Sequence, residues 1–234
     1  MKLQFRERYG AELLEGYGCT ELGPTVTLNL LPIKRDGVTE IRSRDGAVGR
    51  PLPGLNVFTI DPESQTILPA GSEGLLVVQS TSRMRGYLDR PDLTEKAFIH
   101  HGYNTGDVGR VDEDGFVHIT GRMARFAKIG GEMVPLDHVE AAVFQAVLTI
   151  VGPDAAIEVA VAAIADEARG ERLIILHTGF TGDWEKLLAD LAELPALWRP
   201  RSRDVRLVEA IPKLGTGKRD LAGLKKLAAG TSNP

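Results

Sequence analysis

Cysteine is almost absent from this sequence, which carries a single one, Cys19, in 234 residues. One thiol cannot form an intrachain disulfide or a cysteine-only metal site, and so little cysteine is typical of a reducing compartment. Apolar runs of the roughly 20 residues that a membrane helix needs are also missing. The charged segment 1–16 lacks the apolar core of a signal peptide. We therefore expect a cytoplasmic chain with no membrane segment.

Basic residues are not in excess either, since the net charge is −4 at pH 7. This charge argues against a general nucleic-acid binder. Residues 199–226 are an exception, because nine Arg or Lys stand against three Asp or Glu, a local charge of +6. Such a segment can bind phosphates or an acidic partner, and a solvated surface explains it equally well.

Two kinds of pattern meet near residue 120. Before it, short apolar or alternating segments are separated by Gly and Pro, which predicts a small, distorted β-barrel or sandwich. Segments 55–61 and 73–80 are predicted strands, and Asp114-Gly115 marks the turn of a predicted hairpin.

After this point, residues 134–147 show a helical periodicity that begins near Pro135. Four apolar residues recur on one face of the predicted helix: Leu136, Val139, Val143 and Val147. The remaining predicted elements are strands at 155–166, 172–178 and 203–210 and helices at 183–194 and 220–230. The expected fold class is α+β, with a β-barrel subdomain in residues 1–120 and a compact α+β domain in residues 121–234.

The stretch 16–23, GYGCTELG, places an aromatic ring, a hydroxyl and a carboxylate in a predicted turn after a strand. Tyr17 can stack on a base, Thr20 can bond a phosphate, and Glu21 can bind Mg²⁺ together with a phosphate. Taken alone, such a stretch is more often an ordinary surface turn.

The stretch 103–107, YNTGD, ends in Asp107 just before the predicted hairpin. An ionised aspartate accepts hydrogen bonds from two vicinal hydroxyls, the arrangement that a ribose presents. A carboxylate that caps a turn after Gly106 is an equally good explanation.

Residues 121–132, GRMARFAKIGGE, combine glycine with positive charge. The pair Gly130-Gly131 permits a positive φ or a close approach of the backbone to a ligand. The basic residues of this stretch are Arg122, Arg125 and Lys128. A basic strand between two domains is the alternative interpretation.

The stretch 212–218, PKLGTGK, is not a phosphate-binding Walker A loop. That loop needs a glycine where this sequence has Pro212 and a Ser or Thr where it has Arg219. What remains is a loop that contains glycine and carries Lys218 at its tip, or merely an exposed turn.

In this order and at these separations, the four stretches resemble the acyl-adenylate-forming superfamily, which includes acyl-CoA synthetases, peptide-synthetase adenylation domains and luciferases. The superfamily patterns Y-G-x-T-E, Y-x-[TS]-G-D, G-R-x-x-x-x-x-K-x-x-G and P-K-x-x-x-G-K are all met. Gly74 and Gly86-Tyr87 match a further family segment. The resemblance covers essentially the whole chain. Residues 121–140 look most like the acyl-acyl-carrier-protein synthetases, whose bifunctional members are also 2-acylglycerophosphoethanolamine acyltransferases.

The resemblance implies a reaction in two steps. ATP and a fatty acid would give an acyl-adenylate and pyrophosphate, and the phosphopantetheine thiol of acyl carrier protein or CoA would then take the acyl group. The implied nucleotide-binding residues are Tyr17 on adenine, Gly18 beside it, Thr20 on the α-phosphate, Glu21 on Mg²⁺, and Asp107 with Arg122 on the ribose. Lys218 would be the mobile catalytic lysine that bridges the carboxylate and the α-phosphate.

For the second step, the family rotates its C-terminal domain. The implied hinge lies within 122–126, at Ala124, where the family usually has Asp or Lys. Rotation would present Gly130 and Gly131, on the strand of Lys128, to the thiol arm. Three basic residues would form a docking face for an acidic carrier protein: Arg201, Arg203 and Arg206.

Family members also carry an upstream phosphate loop and an acyl pocket, and residues 1–16 contain neither. We therefore expect this chain to be the C-terminal part of an enzyme, inactive without the N-terminal portion, in a protein that can be associated with a membrane. The alternative is a stand-alone module that binds AMP or carrier protein without catalysis.

Overall fold

The computed structural model describes residues 2–230, and contacts between residues divide the chain into two compact units. The first unit is Met1–Met123 and the second is Ala124–Pro234. Both units mix helices with sheets, which confirms the expected α+β fold class. None of the helices in residues 2–230 has the length and apolar character that crossing a membrane requires.

The first unit is mostly strand. Its helices are α1 (Lys2–Tyr9) and α2 (Pro91–Ala97). Its strands are β1 (Gly16–Gly18), β2 (Thr25–Leu28), β3 (Ile33–Arg35), β4 (Val38–Glu40), β5 (Arg50–Pro51), β6 (Asn56–Ile60), β7 (Gly74–Gln79), β8 (Phe98–Ile99), β9 (Gly102–Val111) and β10 (Val117–Arg122). Strands β1, β2 and β5 form one sheet, β10, β9, β7 and β6 form another with β8 beside β9, and β3 pairs with β4.

Strand β7 is buried on both of its faces, as its uninterrupted apolar run predicts. Because side chains alternate along a strand, Leu76 and Val78 pack into one apolar cluster and Leu75 and Val77 into another. Strand β9 pairs with this buried strand β7, and β9 carries Asp107.

The second unit packs helices on both faces of a sheet. Its elements are β11 (Phe126–Ile129), β12 (Glu132–Pro135), α3 (Leu136–Val151), β13 (Val159–Asp166), β14 (Gly170–His177), α4 (Trp184–Ala189), β15 (Val205–Leu207) and α5 (Leu221–Ala229). The strand order is β12, β11, β14, β13, with β15 parallel to β14. Val161 and Ile175 face the cluster that contains α3, whereas Ala160 and Ile174 face the cluster that contains α5.

Helix α3 confirms the predicted apolar face, because Leu136, Val139, Val143 and Val147 are all buried. The prediction that Pro135 begins the first helical turn is wrong. Pro135 has extended dihedral angles, pairs with Phe126 as the last residue of β12, and precedes the helix.

Asp112 holds the turn of the β9–β10 hairpin, around Asp114 and Gly115. Its Oδ1 accepts hydrogen bonds from the backbone N–H of Phe116 at 2.8 Å, and its Oδ2 accepts them from Arg44 at 2.5 Å and His118 at 2.9 Å. Burial opposes the charge, but these donors outweigh it and lower the pKa of Asp112 to about 2.

We expect Asp112→Asn to lower the free energy of unfolding by about 1.5–3 kcal/mol, because an amide has one acceptor oxygen and cannot replace both Oδ1, which accepts from Phe116, and Oδ2, which accepts from Arg44 and His118. The folded-state pKa lies below that of the unfolded chain, so the carboxylate stabilises fully above about pH 4 and this stabilisation is lost as the pH falls towards 2. Urea unfolding at several pH values measures both effects. The control is Asp114→Asn, which removes an exposed partner of Arg44; an equal loss in both variants would contradict the prediction.

Candidate active site

The turn that follows β1 depends on glycine. A Cβ atom on Gly18 would lie 1.8 Å from the carbonyl oxygen of Pro24, so no other residue fits there. The register of β1 on β2 shifts between Tyr17 and Gly18, and a 3-10 turn then runs from Thr20 to Leu22. This backbone leaves Thr20 exposed and Glu21 partly exposed on one short segment.

Asp107 is set by an irregularity in strand pairing. The β7–β9 register shifts between Leu75 and Val77, opposite the segment that contains Gly106 at φ 71°. The hydroxyl of Thr105 accepts from the backbone N–H of Asp107 at 3.1 Å and fixes the bulge. Bulges of this kind often redirect a side chain next to an active site. The sequence predicted that Asp107 comes just before the hairpin, but the residue lies within the first strand of the hairpin.

Tyr17, Asp107 and Arg122 meet at one point of the first unit. The Tyr17 hydroxyl donates to Asp107 Oδ2 at 2.5 Å, and Arg122 Nε donates to Asp107 Oδ1 at 2.7 Å. Asp107 is only 5% exposed, whereas the Arg122 side chain is 62% exposed. Burial and the neighbouring carboxylate raise the pKa of Tyr17, so the phenol stays a hydrogen-bond donor at neutral pH. The Asp107 charge also raises the pKa of Arg122.

Glu21 contacts two tyrosines to which sequence analysis gave no role. The Tyr87 hydroxyl donates to Glu21 Oε1 at 2.9 Å and lies 3.1 Å from the Tyr103 hydroxyl. Burial alone would raise the pKa of Glu21, but bonds from its own backbone N–H and from Tyr87 outweigh it and lower the pKa. Both tyrosines occur in segments that carry the family resemblance, and this was the only signal that could have identified them.

In the second unit, Gly130 and Gly131 form the two-residue turn between β11 and β12. Their φ values are 59° and 89°, and two positive values in a hairpin turn are the reason for glycine at both positions. On β11, the backbone N–H of Lys128 donates to the Glu171 carboxylate at 2.7 Å. Ala124 is exposed and lies at the start of this unit.

Lys218 is exposed on a closed loop of the second unit. Lys213 and Arg219 form an antiparallel bridge at the base of the loop. The backbone N–H of Leu214 donates to the Lys218 carbonyl at 2.7 Å, and Gly217 turns the chain at φ 80°. Among the described residues of this unit, no carboxylate forms an ion pair with the Lys218 ammonium group.

The three arginines of the predicted docking face do not lie together. Arg201 and Arg203 line a cavity of about 320 Å³. Arg206 is instead on β15 and donates to the Leu227 carbonyl, near the C-terminal end of α5, at 3.3 Å. No group of three His, Cys, Asp or Glu side chains in residues 2–230 could hold a metal ion by itself.

Comparison with known proteins places these features in a family. The model of the family described as AMP-binding enzyme matches residues 1–88. The 4-coumarate–CoA ligase 1 of Glycine max is 29% identical over 212 residues, which are 89% of this chain and 69% of that protein. The 4-coumarate–CoA ligase 1 of Solanum tuberosum is 31% identical over 230 residues, which are 95% of this chain and 40% of that protein.

A solved structure shows the same fold. The crystal structure of ATP-bound MatB from Rhodopseudomonas palustris matches with a TM-score of 0.71 and 28% identity, over 99% of this chain and 44% of that one. The chain therefore spans about two fifths of MatB and of the Solanum ligase. Together with the four ordered motifs and the fold, these similarities show that the chain belongs to the acyl-adenylate-forming superfamily of AMP-binding enzymes, of which it represents the C-terminal part.

Proposed function

We propose that this chain is part of an ATP-dependent ligase that activates a carboxylic acid as its acyl-adenylate and transfers the acyl group to a phosphopantetheine thiol. The observation that carries the proposal is the cluster of Tyr17, Asp107 and Arg122: Arg122 faces Asp107 across the β9–β10 hairpin, and Tyr17 comes from 90 residues earlier in the sequence. A buried carboxylate flanked by an aromatic ring and a cation suits a ribose and its base.

In this proposal Asp107 accepts the two ribose hydroxyls. An ionised carboxylate only accepts hydrogen bonds, and Asp107 Oδ2 already accepts one from the phenol of Tyr17. Arg122 forms an ion pair with Asp107 Oδ1 at 2.7 Å. The ring of Tyr17 then stacks on adenine, and Gly18 leaves room for the turn that presents it.

In this proposal, the next residues along the turn bind the phosphates and their metal ion. Thr20 is exposed, and its hydroxyl bonds the α-phosphate. Glu21 has a lowered pKa and is therefore ionised at neutral pH. Mg²⁺ is usually held by one or two carboxylates together with phosphate oxygens and water, so one glutamate fits this ion. When bound, Mg²⁺ neutralises phosphate charge.

Lys218 is the proposed catalytic cation. An ammonium group placed where negative charge develops between the carboxylate and the α-phosphate stabilises the transition state of adenylation. Ala124 is the proposed hinge for the change to thiol transfer, in which the hairpin of Lys128, Gly130 and Gly131 meets the thiol arm. The rest of the enzyme supplies the phosphate loop and the acyl pocket, and a fatty acid is the proposed substrate.

The acceptor is either CoA or acyl carrier protein, which share the phosphopantetheine thiol. The relatives named as CoA ligases favour CoA. The sequence of residues 121–140 and the exposed pair Arg201 and Arg203 favour an acidic carrier protein as the acceptor. The proposed enzyme is then cytoplasmic and can also be a lysophospholipid acyltransferase. A stand-alone module that binds AMP or carrier protein is the second candidate, because the proposed ribose site lies wholly in this chain.

The ribose assignment predicts a loss of sugar recognition in Asp107→Asn. We expect this chain to bind AMP at least about tenfold more tightly than 2′,3′-dideoxy-AMP, since hydrogen bonds to a charged group contribute about 1.5–3 kcal/mol. Asp107→Asn should bind both nucleotides equally. NMR titration measures the two affinities, and Asp92→Asn, which changes an exposed carboxylate, is the control. A parent chain without preference for AMP would contradict the assignment.

Carrier-protein docking predicts a charge effect. Reversal of both Arg201 and Arg203 to Glu should weaken binding of holo acyl carrier protein by about tenfold at low salt, because complementary charges steer such partners. The control reverses two exposed residues of the first unit, Lys34→Glu and Arg35→Glu. Calorimetric titration with carrier protein and, separately, with CoA distinguishes the two acceptors. Equal binding of carrier protein by both double variants would exclude this face.

The chain by itself should not catalyse adenylation. We expect no ATP–pyrophosphate exchange with a fatty acid above background, because the proposed phosphate loop and acyl pocket belong to the rest of the enzyme. An exchange assay with radiolabelled pyrophosphate measures this. Robust turnover by the isolated chain would contradict the proposed division of the site.

A further inference from the structure

A buried carboxylate in the second unit connects two arginines that are far apart in the sequence. Glu140, on α3, is 9% exposed. Its Oε2 accepts hydrogen bonds from Arg125 Nη2 at 2.8 Å and from the backbone N–H of Val161 at 2.9 Å. Its Oε1 accepts a hydrogen bond from Arg219 Nη1. One side chain therefore joins residues 125, 140 and 219 into a single network, buried at Glu140 and Arg125 and partly exposed at Arg219.

Both arginines are fixed by further bonds. Arg125 is 6% exposed and donates to Asp137 and to the Val161 carbonyl, each at 2.7 Å. Arg219 donates through Nη2 to the Val159 carbonyl on β13 at 3.2 Å. Arg219 thus spans from a helix to a strand of the core. Removing either buried partner, Glu140 or Arg125, leaves the other charge uncompensated, which costs far more than breaking a surface pair.

The network ends at two places that matter for the proposed function. Arg219 directly follows Lys218 and closes the base of its loop through the bridge with Lys213. Arg125 directly follows Ala124, where the second unit begins. Glu140 therefore links the loop of Lys218 to the first residues of its unit.

We propose that Glu140 is a positioning residue that clamps Arg219 and thereby holds Lys218 in a fixed place within the second unit. Lys218 then moves only as the whole unit moves, and not by flexing of its loop. The clamp itself needs no ligand; its meaning for catalysis rests on the proposed role of Lys218.

A second contact could hold the same loop, and it provides the control. Lys213 Nζ lies 2.6 Å from Glu158 Oε1, but the two side chains are 47% and 45% exposed. Exposed ion pairs of this kind stabilise a protein little, by about 0–1 kcal/mol. Glu158→Gln thus makes the same chemical change as Glu140→Gln on a carboxylate that also faces the loop.

The experiment compares the parent chain with Glu140→Gln, Arg219→Gln and Glu158→Gln by NMR, without nucleotide. The Lys218 amide should have an order parameter near the rigid value of ~0.85 in the parent chain and below ~0.6 in the first two variants. Hydrogen exchange at the amides of Leu214 and Gly217, which donate within the loop, should accelerate about tenfold or more. Glu158→Gln should leave all three amides unchanged.

The amides of Ile175 and Leu176 on β14 report on the core. Unchanged exchange there shows that a faster loop is a local effect. If Glu140→Gln unfolds the unit, Arg219→Gln decides, because that side chain is partly exposed and removes only the loop end of the network. A mobile Lys218 in the parent chain, an ordered loop in Arg219→Gln, or equal effects of Glu140→Gln and Glu158→Gln would each overturn the clamp. Failure of AMP binding would overturn the proposed function and leave this result untouched.

Discussion

The bond between the Tyr17 hydroxyl and the Asp107 carboxylate is the interaction on which the site in the first unit depends. A carboxylate that is nearly buried is stable only when donors compensate its charge, and here a phenol and the Arg122 guanidinium do so. The backbone next to both side chains also has special features. The bulge before Asp107 and the positive φ at Gly106 lie in the strand segment that carries Asp107, and the glycine forced by Pro24 at position 18 directly follows Tyr17.

The basic residues of segment 199–226 have different structural roles and do not form one charged surface. Arg199 donates to the carbonyl groups of Leu194 and Ala192, Arg206 donates to the Leu227 carbonyl near the end of α5, and Arg219 is part of the Glu140 network. Much of the local charge of residues 199–226 therefore serves the fold. The exposed remainder, which includes Lys218, is what a partner or a nucleotide can meet.

Sequence reasoning succeeded where the controlling forces are local. The periodicity of α3 and the glycine of the β9–β10 turn are local properties, and the order of motifs identifies the superfamily without any knowledge of contacts. It failed where tertiary pairing decides. Pro135 is held in strand β12 by its pairing with Phe126 and is not in the helix. The helix predicted at 183–194 ends at Ala189. The hydrogen bond from Tyr87 to Glu21 depends on which strands lie next to each other. The separation of Arg206 from Arg201 and Arg203 depends on which face each side chain lies on. No local sequence pattern encodes these two properties.

Strand β13 has a consequence for how this unit can vary among related proteins. Its odd-numbered residues from Val159 to Ala163 pack against one helix layer, and its even-numbered residues from Ala160 to Ile164 pack against the other. Insertion or deletion of a single residue would reverse every side chain beyond that point and spoil both cores at once. Length changes should therefore be tolerated in exposed connecting segments, such as 167–169, while β13 itself keeps a constant length.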